Sequence, residues 1–148
     1  MKFKNNKDVV EYFGQGFVTG NDLAVYEEIV AKDFVDHATP NGGYQSMLDT
    51  FQAMRAAMPD MTLVIHRLID DDDCVACLKS LVGHHTGAAI FGVAATGNPM
   101  QIDLIDILRI QNGQFVENWV YNNTAEVMSA LQQKRPIANL LSAKPAAK

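Results

Sequence analysis

The stretch Met100–Asn122, MQIDLIDILRIQNGQFVENWVYN, decides the fold. In Met100–Ile110, Ile102, Leu104, Leu108 and Ile110 fall on one side, with Asp103, Ile105, Ile107 and Arg109 on the other. That is the two-residue period of a strand. Asn112-Gly113 is the pair favoured where both central residues of a tight turn need positive φ, and Gln114–Asn122 returns as a second strand. This end of the chain is therefore predicted to be an antiparallel hairpin.

Working back from the hairpin, Cys74–His85 reads as the strand before it and Met61–Ile69 as the one before that. The charged run Asp70–Asp73 joins those two, and Gly87–Pro99 is a long loop rich in Gly and Ala. The first half reads as helix. Asp8–Thr19 places Val9, Phe13 and Phe17 four apart on one face, and Gly20 suits the position after its end. Asn21 can cap a second helix through Val30. Phe34-Val35-Asp36-His37 is extended and leads into the turn residues Thr39–Gly43. A third helix over Tyr44–Met58 carries the stripe Met47, Phe51, Met54 and Met58, with Pro59 beyond it. Ala125–Gln132 makes a short closing helix. Helices first and a meander second predict an α+β fold, with a curved antiparallel sheet packed on N-terminal helices. Residues 1–133 form the domain. Residues 134–148, interrupted by Pro136 and Pro145, read as a tail that adds little to the core.

The chain has 148 residues, enough for one domain with its own core. Hydrophobic residues make up 48% and charged residues 20%, which excludes a disordered chain. A net charge of −5 without a basic run argues against nucleic acid or anionic lipid as a partner. No apolar stretch approaches the roughly 20 residues of a membrane span. The first residues lack the apolar core of a signal peptide, so a cytoplasmic protein is expected. Apolar residues on both faces of Cys74–Val82 and Met100–Ile110 exceed what one helical layer covers, and a homodimer through one sheet face is expected.

Asp106 is the leading candidate for chemistry. Strand alternation puts it among Ile102, Leu104, Leu108 and Ile110, where a carboxylate is costly unless it is paired or used. Desolvation favours the neutral form of such a group, which suits acid–base work. An unbroken hairpin ladder puts Trp119 and Tyr121 on its side, whereas a bulge brings Asn118 and Val120 there instead. Asp103 belongs to the opposite face and reads as structural or solvated. His37 and His85 are candidates to line a pocket as polar groups or proton carriers, and the helix residues Met47, Phe51 and Met54 to wall an adaptable cavity. No metal site is predicted: His84 and His85 point to opposite faces, and no compact ligand spacing occurs. Cys74 and Cys77 are spaced C-x-x-C on a strand, so they too face opposite ways and read as small buried hydrophobes. Asp70–Asp73 lacks the glycine and distal Glu of a calcium loop. Neither a phosphate loop nor a nucleophile elbow is present.

Taken in order, Phe34-Val35-Asp36-His37, Gly83-His84-His85-Thr86-Gly87, Phe91-Gly92-Val93, Ala95-Thr96-Gly97, Ile105–Arg109, Asn112-Gly113 and Glu117-Asn118-Trp119 form a pattern. It resembles the SnoaL-like polyketide cyclases of the nuclear-transport-factor-like superfamily over about Asp8–Gln132. The resemblance implies a cone-shaped α+β barrel around a pocket, usually a homodimer. It also implies an intramolecular aldol ring closure without metal or cofactor. In that family an acidic residue on the last strand acts as acid–base near a His two residues before it, and the matching positions here are Asn118 and Val120. The pocket His of the preceding strand falls at Asp106, which would supply a displaced carboxylate. His85 and His37 match the family's Gly-x-His-x-Gly and Val-Asp-His histidines.

The expectation is a small-pocket, cofactor-free enzyme acting on an apolar, carbonyl-bearing or ester-like molecule by proton transfer. Aldol cyclisation, isomerisation and hydration all fit. Asp106, His85 and His37 are its catalytic candidates. Asn118, Trp119, Tyr121, Met47, Phe51, Met54 and Phe91 are its ligand-lining candidates. The alternative is a non-catalytic dimeric module that holds a hydrophobic ligand in a pocket without converging polar groups.

Overall fold

The computed structural model describes residues 2–135. Its strands are β1 (Val30–Asp36), β2 (Gly42–Gly43), β3 (Thr62–Asp71), β4 (Cys74–His84), β5 (Pro99–Gln111) and β6 (Gln114–Asn122). They form one curved, open sheet in the order β2-β1-β6-β5-β4-β3. The predicted α+β class and the β3–β6 meander are present. Two details differ from the expectation. The sheet is mixed, because β1 runs parallel to β6, with Asp36 opposite Asn118. It also remains open instead of closing into a barrel. The β1–β6 contact joins residues about eighty positions apart, beyond the reach of local sequence signals.

The helices are α1 (Asn6–Phe13), α2 (Leu23–Ile29), α3 (Tyr44–Ala57) and α4 (Thr124–Gln132). The first predicted helix is split: α1 passes at Gly14 into a π-helical turn, Gly14–Thr19. A Cβ on Gly14 would lie 2.8 Å from Leu63 Cδ2, and one on Gly16 2.8 Å from Val25 Cγ2. The glycines thus let this wider turn lie close against β3 and α2. Asn5 caps α1 by accepting from the Asp8 N–H, and Asp22 caps α2 by accepting from the Ala24 N–H.

The core lies between the helices and the inner face of the sheet. Phe13 packs edge-on against Phe115 at 4.8 Å between ring centres, and Phe17 lies 4.7 Å from Tyr26. Tyr26 is fully buried and donates its hydroxyl to the Tyr44 carbonyl. The expectations for the tail beyond Arg135 lie outside the described residues. No helix among the described residues is long and apolar enough to cross a membrane.

Candidate functional site

The hairpin places the site. Near its turn the ladder pairs Gln111 with Gln114 and Ile110 with Phe115. Beyond it Arg109 pairs with Glu117, so one extra residue, Val116, bulges from β6. From there on the register is shifted by one. Asp106 faces Val120, Leu108 faces Asn118, and Ile107 faces Trp119. Asp106, Asn118 and Val120 therefore share the inner face. Phe115, on the turn side of the bulge, also reaches the inner core.

On that face lies a cavity of about 260 Å³. Met47, Phe51 and Met54 of α3 form its helical wall, and Phe91 adds an aromatic side from the loop before β5. Four strands contribute polar lining: Asp36 of β1, Lys79 of β4, Asp106 of β5 and Asn118 of β6. A larger hollow of about 740 Å³ beside the N-terminal segment opens to solvent, and its Lys2 and Glu28 already pair at 2.7 Å.

Lys79 is the residue that sequence reading missed. Its Nζ lies 2.7 Å from Asp106 Oδ2, and both side chains are buried. Burial alone would pull the ammonium down, but the charge of Asp106 and its hydrogen bond hold it above the usual lysine value. The signal for it was present in the sequence. Val75, Cys77, Lys79 and Leu81 alternate onto one buried strand face, and Lys79 is the lone cation there. Asp106 Oδ1, also buried, has no hydrogen-bond partner. A second polar pair stands beside this one: Asn118 Nδ2 donates to Asp36 Oδ1 at 3.4 Å, and the Ala38 N–H donates to the same oxygen at 3.0 Å.

The remaining candidates lie elsewhere. His37, Trp119 and Tyr121 are on the outer face. Asp36 points inward opposite Asn118, so strand alternation turns its successor His37 outward. There the His37 ring stacks on Trp119 at 5.1 Å and its Nε2 bonds Glu117 Oε2 at 2.7 Å. Tyr121 is 78% exposed. These three placements correct the expectation, and the Val116 bulge is the reason for Trp119 and Tyr121.

His85 is fully buried but lies outside the cavity lining. Its Nε2–H donates to the Ala88 carbonyl, which can only accept. Nδ1 is then the acceptor for the Thr96 N–H at 3.3 Å. Both ring nitrogens are thus used to hold the loop. Asp103 is buried instead of solvated: Ser80 Oγ and Gln101 Nε2 donate to its Oδ1 at 2.7 and 2.8 Å. Cys77 is buried and its thiol is pushed up to about 12 by burial, while Cys74 is only half-buried. Among the described residues no group of three or more His, Cys, Asp or Glu side chains is placed to hold a metal ion.

The model of the SnoaL-like polyketide cyclase family matches residues 8–131. Among solved structures, the chain is similar to IdmH of Streptomyces antibioticus, a candidate polyketide cyclase. Identity is 24% over 87% of this chain and 99% of that one, with a TM-score of 0.74. AclR of Streptomyces galilaeus, a candidate hydroxylase, shares 21% identity over 86% and 96% of the two chains, with a TM-score of 0.78. A candidate SnoaL-like cyclase from Jannaschia sp. shares 18% over 85% and 90%, with a TM-score of 0.74. No curated protein matches the sequence. At these identities the structural likenesses speak for the fold.

Proposed function

The chain belongs to the SnoaL-like polyketide cyclase family, and on that premise we propose that it moves a proton on an apolar, carbonyl-bearing small molecule, with Asp106 as the base and Lys79 beside the oxygen that gains charge. The observation that carries this reading is the buried ion pair on the cavity wall, with Asp106 Oδ1 unpartnered. An ammonium held protonated has no lone pair to attack a carbonyl, so Lys79 serves as a charge and hydrogen-bond donor, not as a Schiff-base nucleophile.

The step balances within the pair. Asp106 Oδ1 takes a proton from the carbon next to the substrate carbonyl, and the C–H electrons become the enolate. As the carboxylate is neutralised, its hold on Lys79 weakens and the ammonium turns to the enolate oxygen. One charge leaves Asp106 as another forms beside Lys79, in a site of low dielectric where such matching is strong. The enolate then either attacks a second carbonyl of the same molecule, an aldol closure whose new alkoxide takes the proton back from Asp106, or is reprotonated elsewhere by Asp106, an isomerisation. Proton delivery in a hydration draws on the same pair.

The alternative, a ligand-holding module without chemistry, calls for a cavity without polar convergence. Lys79, Asp106, Asp36 and Asn118 meeting at one wall favours the enzyme. The reading also includes a homodimer built on the outer sheet face and a cytoplasmic setting.

The test uses 2-tetralone, a bicyclic ketone, with exchange of its α-protons in D2O followed by NMR. Wild-type protein is expected to accelerate exchange. Asp106→Asn is expected to lose about 10²–10⁴-fold of that rate, the usual scale of a positioned acid–base group. A folded Asp106→Asn protein with the wild-type rate would remove the assignment.

A further inference from the structure

We infer that Asn118, oriented by Asp36, forms a subsite for a hydroxyl group of the ligand, so that the molecule taken up is neutral and carries a hydroxyl besides its carbonyl. The inference rests on the reading above in one respect, that this cavity holds the ligand.

The orientation of the Asn118 amide is fixed by its partner. A carboxylate oxygen only accepts, so the group facing Asp36 Oδ1 is the Asn118 NH2. The amide oxygen is therefore the free end, and Asn118 Oδ1 is buried with no hydrogen-bond partner. Asn118 itself is 3% exposed and lines the cavity. A buried acceptor left unmatched is costly, and a bound group that donates to it removes that cost.

Two facts narrow the donor. The charged groups lining the cavity are Asp36, Asp106 and Lys79, two acids against one base. A ligand carboxylate would meet an acidic surplus, whereas a neutral hydroxyl would not. The register sets the spacing: Asp106 faces Val120 and Leu108 faces Asn118, so Asp106 and Asn118 are diagonal neighbours on one face. Such neighbours lie about 7–8 Å apart along the sheet, so one small ligand can reach both side chains from the same wall.

The experiment measures binding of three probes to the full chain by titration calorimetry: 2-naphthol, 2-methoxynaphthalene and 2-naphthoate. Wild-type protein is expected to bind 2-naphthol at least about tenfold more tightly than the methoxy compound, since a site built for a donor rejects its capped analogue. The naphthoate is expected to bind more weakly than 2-naphthol. In Asn118→Ala the preference for naphthol over methoxynaphthalene is expected to vanish. Equal binding of the two by wild type overturns the subsite, as does a preference that persists in folded Asn118→Ala. Tighter binding of the naphthoate than of naphthol overturns the claim of a neutral ligand. Because the wild-type comparison needs no variant, a failure of Asn118→Ala to fold leaves the proposal open to refutation. The binding preference is read apart from 2-tetralone exchange. Preference without exchange sinks the enzymatic reading alone, and exchange without preference sinks this one alone.

Discussion

Lys79 is a buried cation with one named counter-ion, which makes its contribution to stability depend on pH in a definite direction. An unfolded lysine loses its proton near about 10.4, and in the fold Lys79 is held above its ordinary value. Its contribution is therefore complete below about pH 10 and disappears as the pH climbs through the folded value. Replacing it by Met strands the Asp106 charge, which typically costs about 3–5 kcal/mol. The expected outcome in urea titrations is a gap of that size between wild type and Lys79→Met near pH 7. The gap should narrow as the pH climbs through the raised folded value of Lys79, where wild type itself loses the ammonium. Burial pushes Cys77 up to about 12 and raises Tyr26 as well. Both groups weaken the fold in the same alkaline range; the Tyr26 part is common to both proteins and cancels in the difference, whereas the Cys77 part differs, because the Lys79 charge lowers that thiol in wild type alone. A gap that stays constant to high pH would show that the pair contributes no charge interaction. At this scale the sequence was half legible. Asp106 stood out because its neighbours two residues away on either side are leucines. Lys79 stood on an equally apolar face, yet the flanking Ser80 and Leu78 made the run look two-sided.

Element boundaries were legible wherever hydrophobic period and turn chemistry agreed, as in β5, the Asn112-Gly113 turn and α3. What could not be read was a change of one residue within an element. Val116 is apolar and fits either face, so nothing in its identity marks the bulge that turns Trp119 and Tyr121 outward and Asn118 inward. The π-helical turn after Phe13 is similar, since the side chains it packs against, Leu63 beside Gly14 and Val25 beside Gly16, belong to other elements. The loop before β5 shows a further limit. His85 matched a motif expected to serve the pocket, but its ring is spent on tying Ala88 to Thr96, with its own N–H and carbonyl bonded to Asn98 and Gly97. His85→Ala removes these ring contacts with the Ala88 carbonyl and the Thr96 N–H and empties a fully buried side-chain position. The expected result is a melting temperature several degrees lower and faster proteolysis within residues 86–98, with 2-tetralone exchange per folded molecule retained. Loss of exchange without loss of stability would return His85 to the list of catalytic groups.

For the whole molecule, the sheet has two faces and the helices cover one. On the uncovered side Ile105 and Ile107 are 42% and 43% exposed, and Tyr121, paired with Ile105 across the ladder, is 78% exposed. Next to them His37, Trp119, Arg109 and Glu117 form a stacked and charge-paired cluster. Aromatic and arginine side chains beside an apolar patch suit a buried contact between proteins. A second copy of the chain, laid against the same face through a twofold axis, would cover this patch with its own equivalent. The proposed dimer bears on the cavity as well, since Asp106 and Asn118 lie on the opposite face of the same two strands, and backing β5 and β6 with another sheet would hold their register across the Val116 bulge. Sedimentation equilibrium at micromolar concentration is expected to give twice the 16.3 kDa of the chain. Ile107→Lys, a charge placed in the patch, is expected to give a folded monomer. Wild-type protein that sediments at 16.3 kDa across that range would mean that the outer face stays in water, and that the register of the site is held by the hairpin alone.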